Sequence, residues 1–332
     1  MCSALLSPIF DMSDRRERIA GLDTAVAALR AGKLVGMPTE TVYGLAADAA
    51  DGQAIARIFA AKGRPRFNPL IVHLGGLADV EKIAAITPEA RRLGEAFWPG
   101  PLTIVMAKHP DTTITELVTT GLDTIALRVP AHPVAGDLLR AFGGPIAAPS
   151  ANRSGHVSAT RASHVAVDLG EDVACILDAG PSQLGIESTI VGLAEGEAIL
   201  LRPGGLARQA IEDVLGRKLR SPAEPSKVTA PGMLASHYAP KAALRLNATN
   251  VEPGEALIAF GPRLPAEAGS NVMVRNLSKS ADLAEAASNL FSALRDLDRH
   301  ATAIAVMPIP EDGLGEAIND RLERAAAPRP RR

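Results

Sequence analysis

Cysteine, aromatic residues and net charge are all scarce in this chain of 332 residues, and each shortage removes a class of protein. Two cysteines, Cys2 and Cys175, supply neither a zinc ribbon nor a disulfide framework, so a reducing, cytoplasmic setting is the default expectation. Phe, Trp and Tyr make up 3% of the residues, too few for the stacking platforms that hold single-stranded nucleic acid. The 35 basic and 37 acidic side chains nearly cancel, to −2, which excludes bulk attraction to nucleic acid or an anionic membrane but would hide a local basic patch. No apolar run is long enough to span a bilayer. Residues 4–10 are apolar, but the run is short, lacks a basic stretch before it and meets Asp11 and the charged residues 14–17. It does not read as a signal peptide; a frayed N-terminus is expected, with Met12 a second candidate for initiation.

The familiar nucleotide and hydrolase signatures are missing as well. No GxGxxG opens a helix after a strand, and Gly32-Lys33 is followed by Leu34 where a P-loop needs Ser or Thr for magnesium. HExxH, a GxSxG elbow and the cysteine pair of zinc deaminases are also lacking, and no protein metal site is expected.

What is present describes a globular α/β chain. Hydrophobic residues are 47% and charged residues 22%, and the length suits roughly two domains. From Asp23 the spacing of Ala25, Val26 and Leu29 predicts a helix ending at Gly32, followed by a buried strand over 34–37. Helices are expected over 53–61, 88–97, 134–142 and 206–215. The matching strands fall over 70–74, 102–107, 124–129, 146–148, 174–177, 189–193 and 198–201. The fold class is therefore α/β, a large twisted open sheet domain over 1–219. Periodicity vanishes between Arg220 and Pro240, where four prolines stiffen the chain, so 220–242 reads as a linker and a candidate lid. Strands near 243–246, 256–260, 271–274 and 303–309, with helices over 283–297 and 315–325, make 243–332 a small second α/β domain, Rossmann-like in its alternation. The Pro/Arg-rich tail is expected to be mobile.

Polar clusters recur at strand ends, where open α/β sheets hold ligands. Thr39, Glu40, Thr41 and Tyr43 follow one strand. Lys62, Arg64 and Asn68 lie in a Gly/Pro-stiffened loop before His73; a Lys and an Arg two residues apart can converge on phosphate oxygens, the one as a point charge and the other as a fork. Lysine is rare here, 8 against 27 arginines, which sets Lys62 apart. Ser150 and Asn152 follow another strand, with Thr124 and Arg128 on an earlier one. Glu187, Ser188 and Arg202 repeat the theme. Each cluster taken singly is also what a turn or a helix C-terminus would carry. Together they suit a polyphosphate and a small polar substrate.

In order, PTETVYGL, KxRP with NPL, FWPGPLT, LRVP, PSAN, ESTI and LRPG resemble the YrdC-like L-threonylcarbamoyladenylate synthases over about residues 15–219. The segment Ala230-Pro-Gly-Met233 and the run His237-Tyr238-Ala239-Pro240 resemble the linker of the family's long, two-domain form. The resemblance implies that L-threonine, bicarbonate or carbon dioxide and ATP give threonylcarbamoyl-AMP and pyrophosphate. Downstream proteins would then use the product to modify tRNA. It also implies that Thr41, His73, Arg128 and Ser188 hold threonine. ATP would be held by Arg64, Asn68, Thr124, Ala148, Ser150, Ser158, Arg202 and Tyr238, with Lys62 and Asn152 completing their motifs and Lys62 and Arg64 the catalytic pair. Mg2+ would arrive with ATP, without a dedicated carboxylate cage, and Glu40 and Glu187 are outer candidates. Without the resemblance, His73 reads as a strand histidine and Tyr238 as a packing residue.

Two rivals are separable. A carbamoyltransferase of the hydrogenase-maturation type shares the domain but also carries zinc-finger and acylphosphatase-like modules, for which this chain has neither the cysteines nor the length. A non-catalytic RNA-binding protein with this fold would use a basic concave face, against which the charge balance and the scarcity of aromatics count; weak tRNA contact through a patch stays open.

Overall fold

The computed structural model describes residues 7–194, 196–222 and 236–328. Strand β1 (Ile9–Asp11) leads into α1 (Arg15–Arg30), β2 (Leu34–Met37), β3 (Gly44–Asp48), α2 (Gly52–Lys62) and β4 (Ile71–His73). The single turn α3 (Leu77–Val80) precedes α4 (Pro88–Phe97), β5 (Leu102–Ala107), α5 (Glu116–Thr119), β6 (Thr124–Arg128), α6 (Pro133–Phe142) and β7 (Ile146–Ala147). Helix α7 (Ala162–Leu169), β8 (Val173–Asp178), β9 (Thr189–Ala194), β10 (Glu197–Arg202) and α8 (Arg208–Leu215) complete the first unit. Its strands form one open, mixed sheet in the order β1-β8-β2-β3-β7-β4-β6-β5-β9-β10. After the linker come β11 (Ala243–Arg245), β12 (Glu255–Ala259), β13 (Val274–Asn276), α9 (Leu283–Leu297), β14 (Ala303–Val306) and α10 (Gly315–Ala326). They build a four-stranded sheet, β11-β14-β12-β13, in which every pairing is parallel.

Local chemistry sets these elements. Pro88 opens α4 behind Thr87, whose side chain accepts from the Ala90 amide, and α2 stops at Gly63 with φ of 58°. In α9 the buried Ala286, Leu290, Phe291, Leu294 and Leu297 fall on one face at helical spacing.

The structure departs from the sequence reading at several places. The chain is not frayed from residue 7: β1 pairs in parallel with β8, and the Met12 amide donates to the Asp178 carbonyl at 2.8 Å. Residues 1–6 lie outside the described part. Helix α1 begins at Arg15, two turns before Asp23, because Asp14 caps the Arg16 and Glu17 amides. Strand β3 and helices α3, α5 and α7 carried no expected element, and β13 begins three residues later than the expected strand, overlapping it at Val274. Of the linker, 223–235, including Ala230 to Met233, lies outside the described residues, as does 329–332 of the tail.

The two units share an apolar seam. Val42, Val157 and Ile186 of the first pack in one buried cluster with Tyr238, Leu290 and Phe291. Full burial of such side chains stabilises by about 1.5–3 kcal/mol each, so the seam acts as a core rather than a wet contact. At Gly185 the approach is close enough that an added Cβ would lie 2.5 Å from the Ser288 carbonyl oxygen in α9.

Candidate active site

Strand ends bring the polar clusters together. His73 closes β4 and Arg128 closes β6; the two residues are directly paired in parallel register, so their side chains share one face of the sheet. Arg128 donates from Nε to the Gly100 carbonyl (3.2 Å), from Nη1 to Thr41 Oγ1 (2.8 Å) and from Nη2 to Glu40 Oε1 (2.6 Å). Three of its five N–H donors are thus engaged, leaving two for a ligand. Burial raises the Glu40 pKa, but the Arg128 charge and hydrogen bond outweigh it and hold the carboxyl below its ordinary value. Glu40 Oε2 is buried without a partner. Burial, then the neighbouring Arg128 charge, push His73 down to about 3, so its imidazole is neutral, and its Nδ1 has no partner.

The phosphate-type cations Arg64 and Arg202 line the same cavity. Arg64 is tied to its own loop, from Nε to the Asn68 carbonyl at 3.1 Å and from Nη2 to Asn68 Oδ1 at 2.8 Å and the Pro69 carbonyl at 2.7 Å. Burial lowers it to about 10, so it stays charged. Arg202, at the end of β10, donates from Nη2 to the Ser188 carbonyl at 2.7 Å and to Ser188 Oγ at 3.2 Å. The hydroxyl of Ser188 also meets Thr103 Oγ1 at 2.7 Å. Gly204 permits this geometry: a Cβ there would come within 2.4 Å of the Glu187 carbonyl oxygen.

Tyr238 and His237 cover the cavity. Tyr238 is 1% exposed, holds a left-handed φ of 60° and stacks on Phe291 of α9 with centroids 5.5 Å apart. Its hydroxyl has no hydrogen-bond partner, and burial raises its pKa, so it stays protonated. His237 is held well below its ordinary value by burial and then by Arg64, Lys62, Arg202 and Arg321.

One cavity of about 50 Å3 joins these groups. Thr41, His73, Arg128 and Ser188 line it together with Arg64, Ala148, Ser150, Arg202 and Tyr238. Five expected residues stand behind the wall instead. Lys62 directs its ammonium onto the Ser150 and Asn152 carbonyls, and burial holds it well below its ordinary pKa. Asn68 braces Arg64, Asn152 spans the Arg153 and His156 carbonyls at 2.8 Å each, and Ser158 donates to Glu187. Thr124 begins β6, four residues from Arg128 and outside the lining. Sequence reasoning missed Arg321 of α10, whose side chain is 0% exposed and pairs with Glu187 at 2.9 Å. Its only signal was position, on a helix rich in charge.

The donor set also bears on metal binding. Among the described residues no group of three or more His, Cys, Asp or Glu side chains could enclose an ion. Glu187 is the carboxylate on the cavity wall, and its two oxygens are engaged by Ser158 and Arg321. No helix among the described residues is long and apolar enough to cross a membrane.

Two family models match the chain: one described as "Telomere recombination", grouping Sua5, YciO and YrdC, over residues 27–204, and one described as "Threonylcarbamoyl-AMP synthase, C-terminal domain" over 206–327. The threonylcarbamoyl-AMP synthase of Pyrococcus abyssi is 42% identical over 340 residues, 94% of this chain and 96% of that one. The enzyme of that name from Bacillus subtilis is 41% identical, with 92% of each chain covered. The crystal structure of P. abyssi Sua5 complexed with L-threonine superposes with a TM-score of 0.85 at 38% identity, over 97% of both chains.

Proposed function

Because the chain belongs to the threonylcarbamoyl-AMP synthase family, we propose that it is a nucleotidyltransferase that makes threonylcarbamoyl-AMP and pyrophosphate from L-threonine, bicarbonate or carbon dioxide, and ATP. The observation that carries this reading is a single cavity joining a carboxylate fork, Arg128, to two phosphate-type cations, Arg64 and Arg202.

In this reading the free N–H donors of Arg128 take the carboxylate of threonine, while Thr41, Ser188 and the neutral His73 receive its hydroxyl and amine. The unprotonated amine captures carbon dioxide. One oxygen of the resulting carbamate then attacks the α-phosphorus, the bond to the β-phosphate oxygen breaks, and pyrophosphate leaves. Such a displacement needs positioning and charge neutralisation more than a protein nucleophile. Arg64 and Arg202 supply charge; Lys62 and Asn152 shape the turn that presents Ser150; Asn68 braces Arg64; Ser158, Ala148 and Tyr238 border the nucleotide. Thr124 would enter only through the outer part of the nucleotide site. Exclusion of water protects the labile carbamate. A cavity of about 50 Å3 holds a few waters rather than a nucleotide, so the wall made by His237 and Tyr238 would move aside for ATP.

Magnesium fits as an ion carried by the phosphates, with water as the remaining ligand and Glu187 the carboxylate that lines the cavity; when bound it would neutralise charge on the departing pyrophosphate. The product's labile mixed anhydride calls for downstream proteins that pass the threonylcarbamoyl group to tRNA, and a cytoplasmic setting belongs to the same reading. The test is pyrophosphate release with mass detection of the adenylate. Release should require both threonine and bicarbonate, and equal release without threonine would sink the assignment.

A further inference from the structure

Two arginines of the second domain converge on Ser158 and Glu187. Arg295 of α9 donates from Nε to the Ser158 carbonyl at 3.1 Å and from Nη2 to the Val157 carbonyl, and pairs with Asp168 at 2.6 Å. Arg321 of α10 donates from Nε to Glu187 Oε2 at 2.9 Å, while the other oxygen of Glu187 accepts from the Ser158 hydroxyl. The Arg321 guanidinium carbon lies 5.1 Å from the centre of the Tyr238 ring. One fully buried cation therefore holds a carboxylate and an aromatic ring that both belong to the cavity wall.

That placement is more than domain adhesion requires. A buried ion pair gains little over an apolar contact of the same shape, because desolvation offsets attraction. Arg208 and Glu316 also link the two domains, but at the rim, with side chains 31% and 30% exposed. Arg321 instead sits where its loss would release Glu187, and with it the Ser158 hydroxyl. Its Nη1 also pairs with Asp320 of the same helix at 2.6 Å, while Nη2 has no hydrogen-bond partner, so its own helix holds only part of the guanidinium and Glu187 takes Nε.

We propose that Arg321 is a positioning residue for the nucleotide half of the site: it fixes Glu187, Ser158 and Tyr238, and so makes nucleotide binding depend on the docked second domain. The proposal rests on the ATP-using reading above. The threonine half is organised by Glu40 and Gly100 around Arg128, and its Ser188 hydroxyl is held by Thr103 and Arg202, all within the first domain, so it should respond little.

The test uses the full-length protein. Arg321→Met keeps the apolar stem and removes the charge, Arg321→Lys restores a cation, and Arg208→Met breaks the rim pair. Calorimetry with a non-hydrolysable ATP analogue and with threonine reads the two halves separately, followed by KM for each substrate. Arg321→Met should weaken the analogue by about tenfold or more and leave threonine within about twofold. Arg321→Lys should recover part of the loss, and Arg208→Met should change neither. The idea is overturned if folded Arg321→Met binds the analogue as wild type does, if both ligands weaken equally, or if Arg208→Met reproduces the loss. Should Arg321→Met not fold, pairing it with Glu187→Gln removes the stranded charge, and wild-type analogue affinity in that variant would likewise overturn it. Absence of threonine-dependent pyrophosphate release by the wild type would reject the assigned reaction, while the analogue titrations still decide the role of Arg321.

Discussion

Arg128 Nη2 lies 2.6 Å from Glu40 Oε1, and the two side chains are 4% and 6% exposed. Arg128 lines the cavity in which threonine is proposed to bind and Glu40 holds it from behind, so the pair links stability to substrate recognition. Glu40→Ala would strand a buried guanidinium and should cost about 3–5 kcal/mol, whereas Glu40→Gln keeps an acceptor and should cost less. The sign with pH follows from the lowered carboxyl. Its stabilisation is present above its ordinary value of 4.5 and lost as pH falls through the lower folded value. Denaturant midpoints of wild type and Glu40→Gln should therefore converge in acid; curves that stay parallel would show that the pair carries no such linkage.

Three buried histidines, His73, His164 and His237, predict acid sensitivity at milder pH, with His164 lowered to about 4 chiefly by burial. His73 is lowered from 6.5 to about 3, and His237 well below 6.5, so all three stay neutral in the folded chain while the unfolded chain takes up protons. A lowered base destabilises the fold as pH falls below the unfolded value. The slope is at most about 1.4 kcal/mol per pH unit for each histidine. His73→Gln should flatten the dependence of the melting midpoint between about pH 6 and 4.5, and an unaltered slope would mean that His73 is protonated in the fold.

How far these features are legible in the sequence depends on what each residue faces. Helix α9 is read to the residue because Leu290, Phe291, Leu294 and Leu297 mark one buried stripe. Strand β3 is not, because its Gly-Leu-Ala-Ala core is buried on both faces and shows no alternation. The first two turns of α1 are mostly exposed and charged, so apolar spacing begins only later. Arg64, Arg128, Arg202 and Ser188 are legible because strand ends carrying cations and hydroxyls stand out against apolar strands. Arg321 is not, because beside Asp320, Glu323 and Arg324 it reads as one more residue of a solvated face; only tertiary packing places it against Tyr238.

Lys62 makes a different kind of prediction from the one its motif suggests. Its ammonium is bound to the Ser150 and Asn152 carbonyls, so its removal would leave the Asn152 carbonyl without a donor, while the Ser150 carbonyl keeps the Asn152 amide at 3.0 Å. An unsatisfied group costs about 1–3 kcal/mol, and Lys62→Met should lower both turnover and the unfolding midpoint. A variant that loses turnover with full stability would instead place the ammonium on the phosphates.

The domain seam is testable at Gly185. Its φ is 69°, and a Cβ would meet the Ser288 and Ala287 backbone at 2.5–2.7 Å, where nothing flexible can yield. Gly185→Ala should cost about 1–3 kcal/mol for the overlap beyond the left-handed penalty of about 1–2 kcal/mol. Gly180, with φ of 77° and open space around it, isolates the backbone cost alone. Faster amide exchange along α9 in Gly185→Ala but not in Gly180→Ala is the expected signature; equal exchange would mean that the seam absorbs the methyl group.

Tyr238 separates packing from recognition most cleanly. Its ring is held by Phe291 and Arg321, but its hydroxyl is buried without a hydrogen-bond partner, which costs stability. Tyr238→Phe removes only that hydroxyl, so stability should hold or rise slightly while KM for ATP increases. Tyr238→Ala also removes the ring from the seam and should cost about 3–5 kcal/mol. The comparison is decisive because the two effects have opposite signs in Tyr238→Phe. A phenylalanine variant that is both more stable and kinetically unchanged would make Tyr238 a packing residue, and the cover of the cavity would then act by shape alone.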